Sequence, residues 1–86
     1  MRKRTKTRLV DGMIGAYVEW REACRLVHEA YRSWVSATGP GAGVAFWRYK
    51  AALDAEESAA DAYAGFVRRV GHLARSDSDL SGPLAA

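Results

Sequence analysis

From Leu9 to Ala37 the apolar residues return on a seven-residue beat. Val10, Tyr17, Cys24 and Tyr31 form one row; Met13, Trp20, Val27 and Trp34 form a second, three residues further on. Beside them runs Ala16, Ala23, Ala30 and Ala37, small enough to admit a second backbone. Apolar positions three and four apart share one face of an α-helix, and a sustained heptad predicts helices packed lengthwise. A second stretch, from Ala42 to Arg75, follows the same grammar. Tyr49, Glu56, Tyr63 and Val70 make one row, and Phe46, Leu53, Ala60 and Val67 the next. Ala45, Ala52 and Ala59 give way to Phe66 and Leu73 in the third. Between the two stretches lies Ser36-Ala-Thr-Gly-Pro-Gly-Ala-Gly43, with three glycines and one of the chain's two prolines. Gly39 can take the left-handed conformation that closes a helix, and Pro40 lacks the N–H needed to continue it.

The pattern predicts an all-α fold, an antiparallel two-helix hairpin with helices over 9–37 and 43–75 and a turn at 38–42. Thr7 or Asp11 is the expected N-cap. Residues 1–8 read as a flexible basic arm. Residues 76–86, polar and without periodicity, read as a disordered tail. Folding about Pro40 pairs positions whose numbers sum to roughly 81, given so tight a turn. That sum sets Trp34 against Trp47, Arg21 against Asp61, Arg25 against Glu56 and Glu57, and His28 against Asp54.

Composition changes the picture in one respect. A chain of 86 residues with three tryptophans, four tyrosines and two phenylalanines has more aromatic surface than two helices can hide against each other. The surplus predicts self-association, most simply a two-fold dimer that makes a four-helix bundle. Another helical protein would fill the same role. The residues expected at the interface are Tyr17, Trp20, Val27, Tyr31, Trp34, Phe46, Trp47, Tyr49, Leu53, Tyr63 and Phe66. The function this implies is non-enzymatic, that of an interaction or scaffolding module.

The net charge of +3 comes from the arm. Arg2, Lys3, Arg4, Lys6 and Arg8 hold five of the 13 cations, so the remaining eight face ten acidic residues. A basic arm on a mildly acidic body supports a second reading, an accessory protein that grips nucleic acid or an anionic surface through these five side chains. No apolar run approaches the ~20 residues of a membrane span. The cationic start lacks the apolar core of a signal peptide, because Asp11, Gly12 and Glu19 interrupt it. A single cysteine, Cys24, cannot form an internal disulfide, and a cytoplasmic location is expected.

Glu56 is the one acidic residue in an apolar row. A carboxylate there needs a partner or a raised pKa. The sum rule brings Arg25, His28 and Asp54 near it, and these four are expected to form a structural polar layer, with Glu56 bonded to Arg25 or to a tyrosine hydroxyl. A metal- or ligand-binding helical bundle is a third, weaker reading. The Glu-x-x-His spacing of di-iron bundles is missing, since Arg25 and Arg69 precede His28 and His72 by three. No catalytic residue, metal ligand or cofactor is assigned. The glycines around Pro40 follow no strand and precede no Gly-Lys-Ser/Thr, so they are not a phosphate loop. The small secreted hairpins that carry a Trp-x-Gly turn have a similar length and a tryptophan near the bend. Trp34-Val35-Ser36 lacks that glycine, and membership is not assigned.

Overall fold

A computed structural model describes the backbone of residues 2–85 and the side chains of residues 4–76. Two helices make up the fold, α1 over Arg2–Ser36 and α2 over Gly41–Ala85, and they pack antiparallel along their lengths. The link is as short as the Gly-Pro signal requires. Gly39 has φ 65°, the left-handed region that an L side chain resists. Ala37 N–H closes α1 on the carbonyl of Trp34, and Ala42 N–H opens α2 on that of Gly39, each at 3.1 Å. Pro40 stands just ahead of α2, where a missing N–H costs nothing.

Both helices reach beyond their expected bounds. α1 starts at Arg2, so neither Thr7 nor Asp11 caps it, and residues 4–8 are a helical turn and not a loose arm. Arginine and lysine are good helix formers. Lys6, Leu9 and Val10 also line a 130 Å³ cleft with Val70, Leu73 and Ala74 of α2, which gives the first turns something to pack on. α2 continues past Arg75 to Ala85, where the sequence pattern ends the helix. Propagating an established helix adds one hydrogen bond per residue fixed and does not require an apolar stripe.

The result is a rod of 69 × 23 × 13 Å. Its radius of gyration is 19.6 Å, whereas a compact chain of this length would have ~12 Å. A rod hides little. Among the described residues only Ala16, at 6% exposure, and Ala23, at 9%, are buried, and no large side chain is fully enclosed. The seam between the helices takes the alanine row and the Met13–Trp34 row from α1. From α2 it takes Ala45, Ala52, Ala59, Phe66 and Leu73 with the Tyr49–Val70 row. Towards the open end, Phe66 lies directly on Gly12; a Cβ there would sit 2.5 Å from the ring. Gly12 is therefore glycine because an aromatic ring occupies the space a side chain would need.

Candidate interaction surface

Aromatic rings punctuate the seam in two like modules, 14 residues apart on each helix. Trp20 stacks on Tyr63 with centroids 5.6 Å apart and planes 12° from parallel, while Tyr17 tilts against the same tyrosine at 5.5 Å. Two heptads along, Trp34 stacks on Tyr49 at 5.3 Å and 16°, with Tyr31 tilted against it at 5.6 Å. Within each module the tyrosine of α1 meets its tryptophan edge-on, at 6.2 and 6.3 Å. The stacks fix the helix register, joining positions that sum to 83, with the tilted pairs at 80. Stacked and edge-on rings add ~0.5–1.5 kcal/mol per pair beyond the area they bury.

Around the seam the hairpin has two unlike sides. Because the helices run in opposite directions, the rows displaced in the same rotational sense from each seam fall on the same side. Those rows are Val10, Tyr17, Cys24 and Tyr31 on α1 and Phe46, Leu53, Ala60 and Val67 on α2. Six of these eight are large apolar residues between 37 and 48% exposed, and they make one continuous apolar side. The opposite side carries Gly12, Glu19, Leu26 and Ser33 with Arg48, Ala55, Ala62 and Arg69, with one large apolar residue, Leu26, among them.

The outward edges differ in charge. In the middle of the rod α1 presents Arg21, Arg25, His28 and Arg32 beside Glu22 and Glu29, and α2 presents Asp54, Glu57 and Asp61 between Lys50 and the pair Arg68 and Arg75, all exposed. The expected polar layer does not assemble. Arg25 pairs along its own helix, donating from Nε to Glu22 at 3.0 Å and through its other nitrogens to Glu22 and Glu29. That hydrogen bond and the guanidinium charge lower the Glu22 pKa, and Glu22 in turn raises that of Arg25. His28 and Asp54 face solvent. The sum rule placed them at matching heights but on edges that point away from each other. Glu56 alone lies in the seam, and its partner is neither Arg25 nor a tyrosine; the indole N–H of Trp20 donates to its Oε1 at 3.3 Å. Among the described residues no three His, Cys, Asp or Glu side chains cluster as a metal site would need.

Trp47 also departs from expectation. It meets Phe46 edge-on at 5.9 Å and carries the Lys50 ammonium over its ring at 5.1 Å, but it does not meet Trp34 and is 63% exposed. Trp34 instead touches Phe46, at 5.3 Å. Of the other expected interface residues, Val27, Tyr49 and Phe66 belong to the seam, and Tyr17, Tyr31, Phe46 and Leu53 to the apolar side.

The open end is cationic on both helices. A shallow groove of about 420 Å³ runs between Leu9, Gly65, Arg68, Arg69, His72 and Leu73. Arg69 is held there by a bond to the Gly65 carbonyl at 3.3 Å and by stacking on Phe66. Arg4, Lys6 and Arg8 lie on the facing turns of α1; the side chains of Arg2 and Lys3 lie outside the described residues. From the sequence, Arg68, Arg69 and Arg75 are expected to enlarge the positive end that the arm makes; the groove that gathers Arg68 and Arg69 with His72 is seen only in the structure. No helix, among the described residues, is long and apolar enough to cross a membrane. Cys24 is a free thiol, partly exposed on the apolar side. Compared with known proteins, the chain matches no family model, no curated protein and no solved structure, so any functional reading rests on this surface alone.

Proposed function

We propose that this chain is a non-enzymatic helical hairpin that works by self-association, as an interaction or scaffolding module whose simplest assembly is a homodimeric four-helix bundle. One observation carries the reading: among the described residues the hairpin has a seam but no closed core, with two alanines its most buried apolar residues. A folded chain of this mass ordinarily exposes roughly 5,000 Å². This one exposes 6754 Å². The excess of about 1,700 Å² exceeds the ~800 Å² that each partner contributes to a standard interface. Tyr and Trp suit such a surface, because each offers a large apolar body with a polar tip. Sedimentation equilibrium at micromolar concentration tests the reading. A dimer or larger species is expected, and a well-folded monomer would contradict it.

The cationic groove favours a second reading, contact with nucleic-acid backbone at the open end. Arg69 and His72 are turned away from the apolar face, with Arg68 on the outer edge, so a polyanion held there leaves that face free. Duplex DNA retention should then fall steeply with salt, as phosphate-dominated binding does. Arg68→Ala with Arg69→Ala should weaken it as much as deleting residues 1–8. DNA retention unchanged by either change would exclude this reading.

A further inference from the structure

The occupant of the apolar side, we infer, is a second copy whose two-fold axis runs along the rod, so that each α1 lies beside the partner's α2 and both turns sit at one end. The inference rests on the self-association reading and fixes its geometry. Two symmetric arrangements bring the apolar sides face to face. With the axis along the rod, α1 meets α2 of the other copy, antiparallel, at unchanged heights. With the axis across the rod, α1 meets α1 and α2 meets α2, and the turns point opposite ways.

Charge decides between them. In the middle of the rod the α1 edge carries Arg21, Arg25, His28 and Arg32, with Glu22 and Glu29 bonded to Arg25, and the α2 edge carries Asp54, Glu57 and Asp61, between Lys50 towards the turn and Arg68 and Arg75 towards the open end. None of Arg21, His28, Asp54, Glu57 or Asp61, all described residues, is ion-paired within the hairpin. An axis across the rod sets α1 on α1 and α2 on α2, so Arg21, Arg25 and His28 cannot reach Asp61, Glu57 and Asp54. An axis along it sets these basic groups on these acidic ones.

The heights agree as well. The seam rings pair positions summing to between 80 and 83. Arg21 with Asp61, Arg25 with Glu57 and His28 with Asp54 each sum to 82, within that window. Inside one hairpin these pairs sit level but on opposite outer edges. A partner turned about the rod axis brings each beside its counterpart. Nearer the turn the same height joins Val35 to Trp47, two apolar side chains each 63% exposed that the hairpin leaves uncovered. Electrostatic matching of this kind specifies partner and register more than it adds affinity, which the apolar side supplies.

Two measurements test the geometry separately from dimerisation. In a Cys24→Ser background, spin labels at Ser36→Cys near the turn should give one interlabel distance below about 30 Å, since neighbouring helix axes in a bundle lie ~8–10 Å apart. A distance of ~50 Å or more, the length of α1 at ~1.5 Å per residue, would mean that the turns point apart and would overturn the inference while leaving the dimer intact. Arg21→Glu and Asp61→Arg should each weaken the dimer by about tenfold, through two like-charge contacts per dimer. An equimolar mixture of the two variants should recover near-native dimerisation, because each mixed dimer contains only opposite-charge contacts. Recovery only when both changes share one chain would make the pair intramolecular and overturn the geometry. A labelled chain that gave no interlabel distance at any concentration would remove the self-association reading as well.

Discussion

The two aromatic modules have the same stacked Trp–Tyr pair, yet different neighbours complete them. Near the turn, Trp34 has Phe46 against it as a fourth ring. In the middle of the rod the position two heptads on from Phe46 is Ala60, and the third partner of Trp20 is the carboxylate of Glu56. The counterpart of Glu56 near the turn is Ala42. Spacing thus dictates the stack, and the third neighbour is free to vary. The turn-end module is wholly apolar around its rings, whereas the central one anchors its indole with a hydrogen bond. An apolar neighbour holds a ring by area and tolerates sliding. A carboxylate fixes the indole nitrogen at one height, which makes the central module the better register pin.

The comparison breaks most visibly at the tryptophans. Trp20→Ala and Trp34→Ala should each cost ~3 kcal/mol or more in the assembled protein, read as a shift in the denaturation midpoint. Trp34→Phe should cost less than Trp20→Phe, because phenylalanine keeps a stack but loses the bond to Glu56. Equal losses would mean that the hydrogen bond contributes nothing. Glycines sharpen the contrast between seam and surface. Gly12→Ala meets Phe66 and should destabilise by ~1–3 kcal/mol, as overpacking does. Gly15→Ala, three residues along, meets nothing within 4 Å and should stabilise by about 0.5–1 kcal/mol. Both can be read from one thermal melt series.

Glu56 comes next in size. Glu56→Ala should cost about 1 kcal/mol, the net worth of a typical hydrogen bond, and Glu56→Gln less, since an amide oxygen still accepts from the indole. A larger loss for the amide would require the charge itself to matter. The smallest effect belongs to Glu22. Its carboxyl pKa is lowered by Arg25, so any stability it contributes is present above the unfolded-state value and is lost as pH falls through the lowered one. Across an acid titration, helix stability should therefore fall slightly as pH drops from the ordinary glutamate value to the lowered one in wild type, and Arg25→Ala should remove that dependence.

The sequence pattern announces both helices, the turn at Gly39-Pro40 and the heptad rows, because helical periodicity and backbone breakers are local signals. Height across the hairpin was also legible, to within a residue or two. Direction was not. Trp47 is one residue past Phe46, at the height of Trp34, but ~100° further round the helix, so it points outward. The same omission turned Arg21–Asp61 and His28–Asp54 into expected intrachain pairs. Counting heptad phase on both helices together would have shown which rows share a side. The helical extension at residues 2–8 was harder to see, since a basic stretch with no apolar face gives no periodic signal, although the stem of Lys6 packs into the cleft at Leu9. The Trp20–Glu56 bond needed a donor that the sequence did not single out, because an indole in an apolar row reads first as bulk.

Self-association is the claim on which the rest depends, and mass in solution tests it most directly. Sedimentation equilibrium across a micromolar concentration series should return at least twice the 9.4 kDa chain mass, with dissociation only at the dilute end. A helical, cooperatively unfolding species that stayed at 9.4 kDa throughout would contradict the account, because the apolar side would then be stable in water on its own.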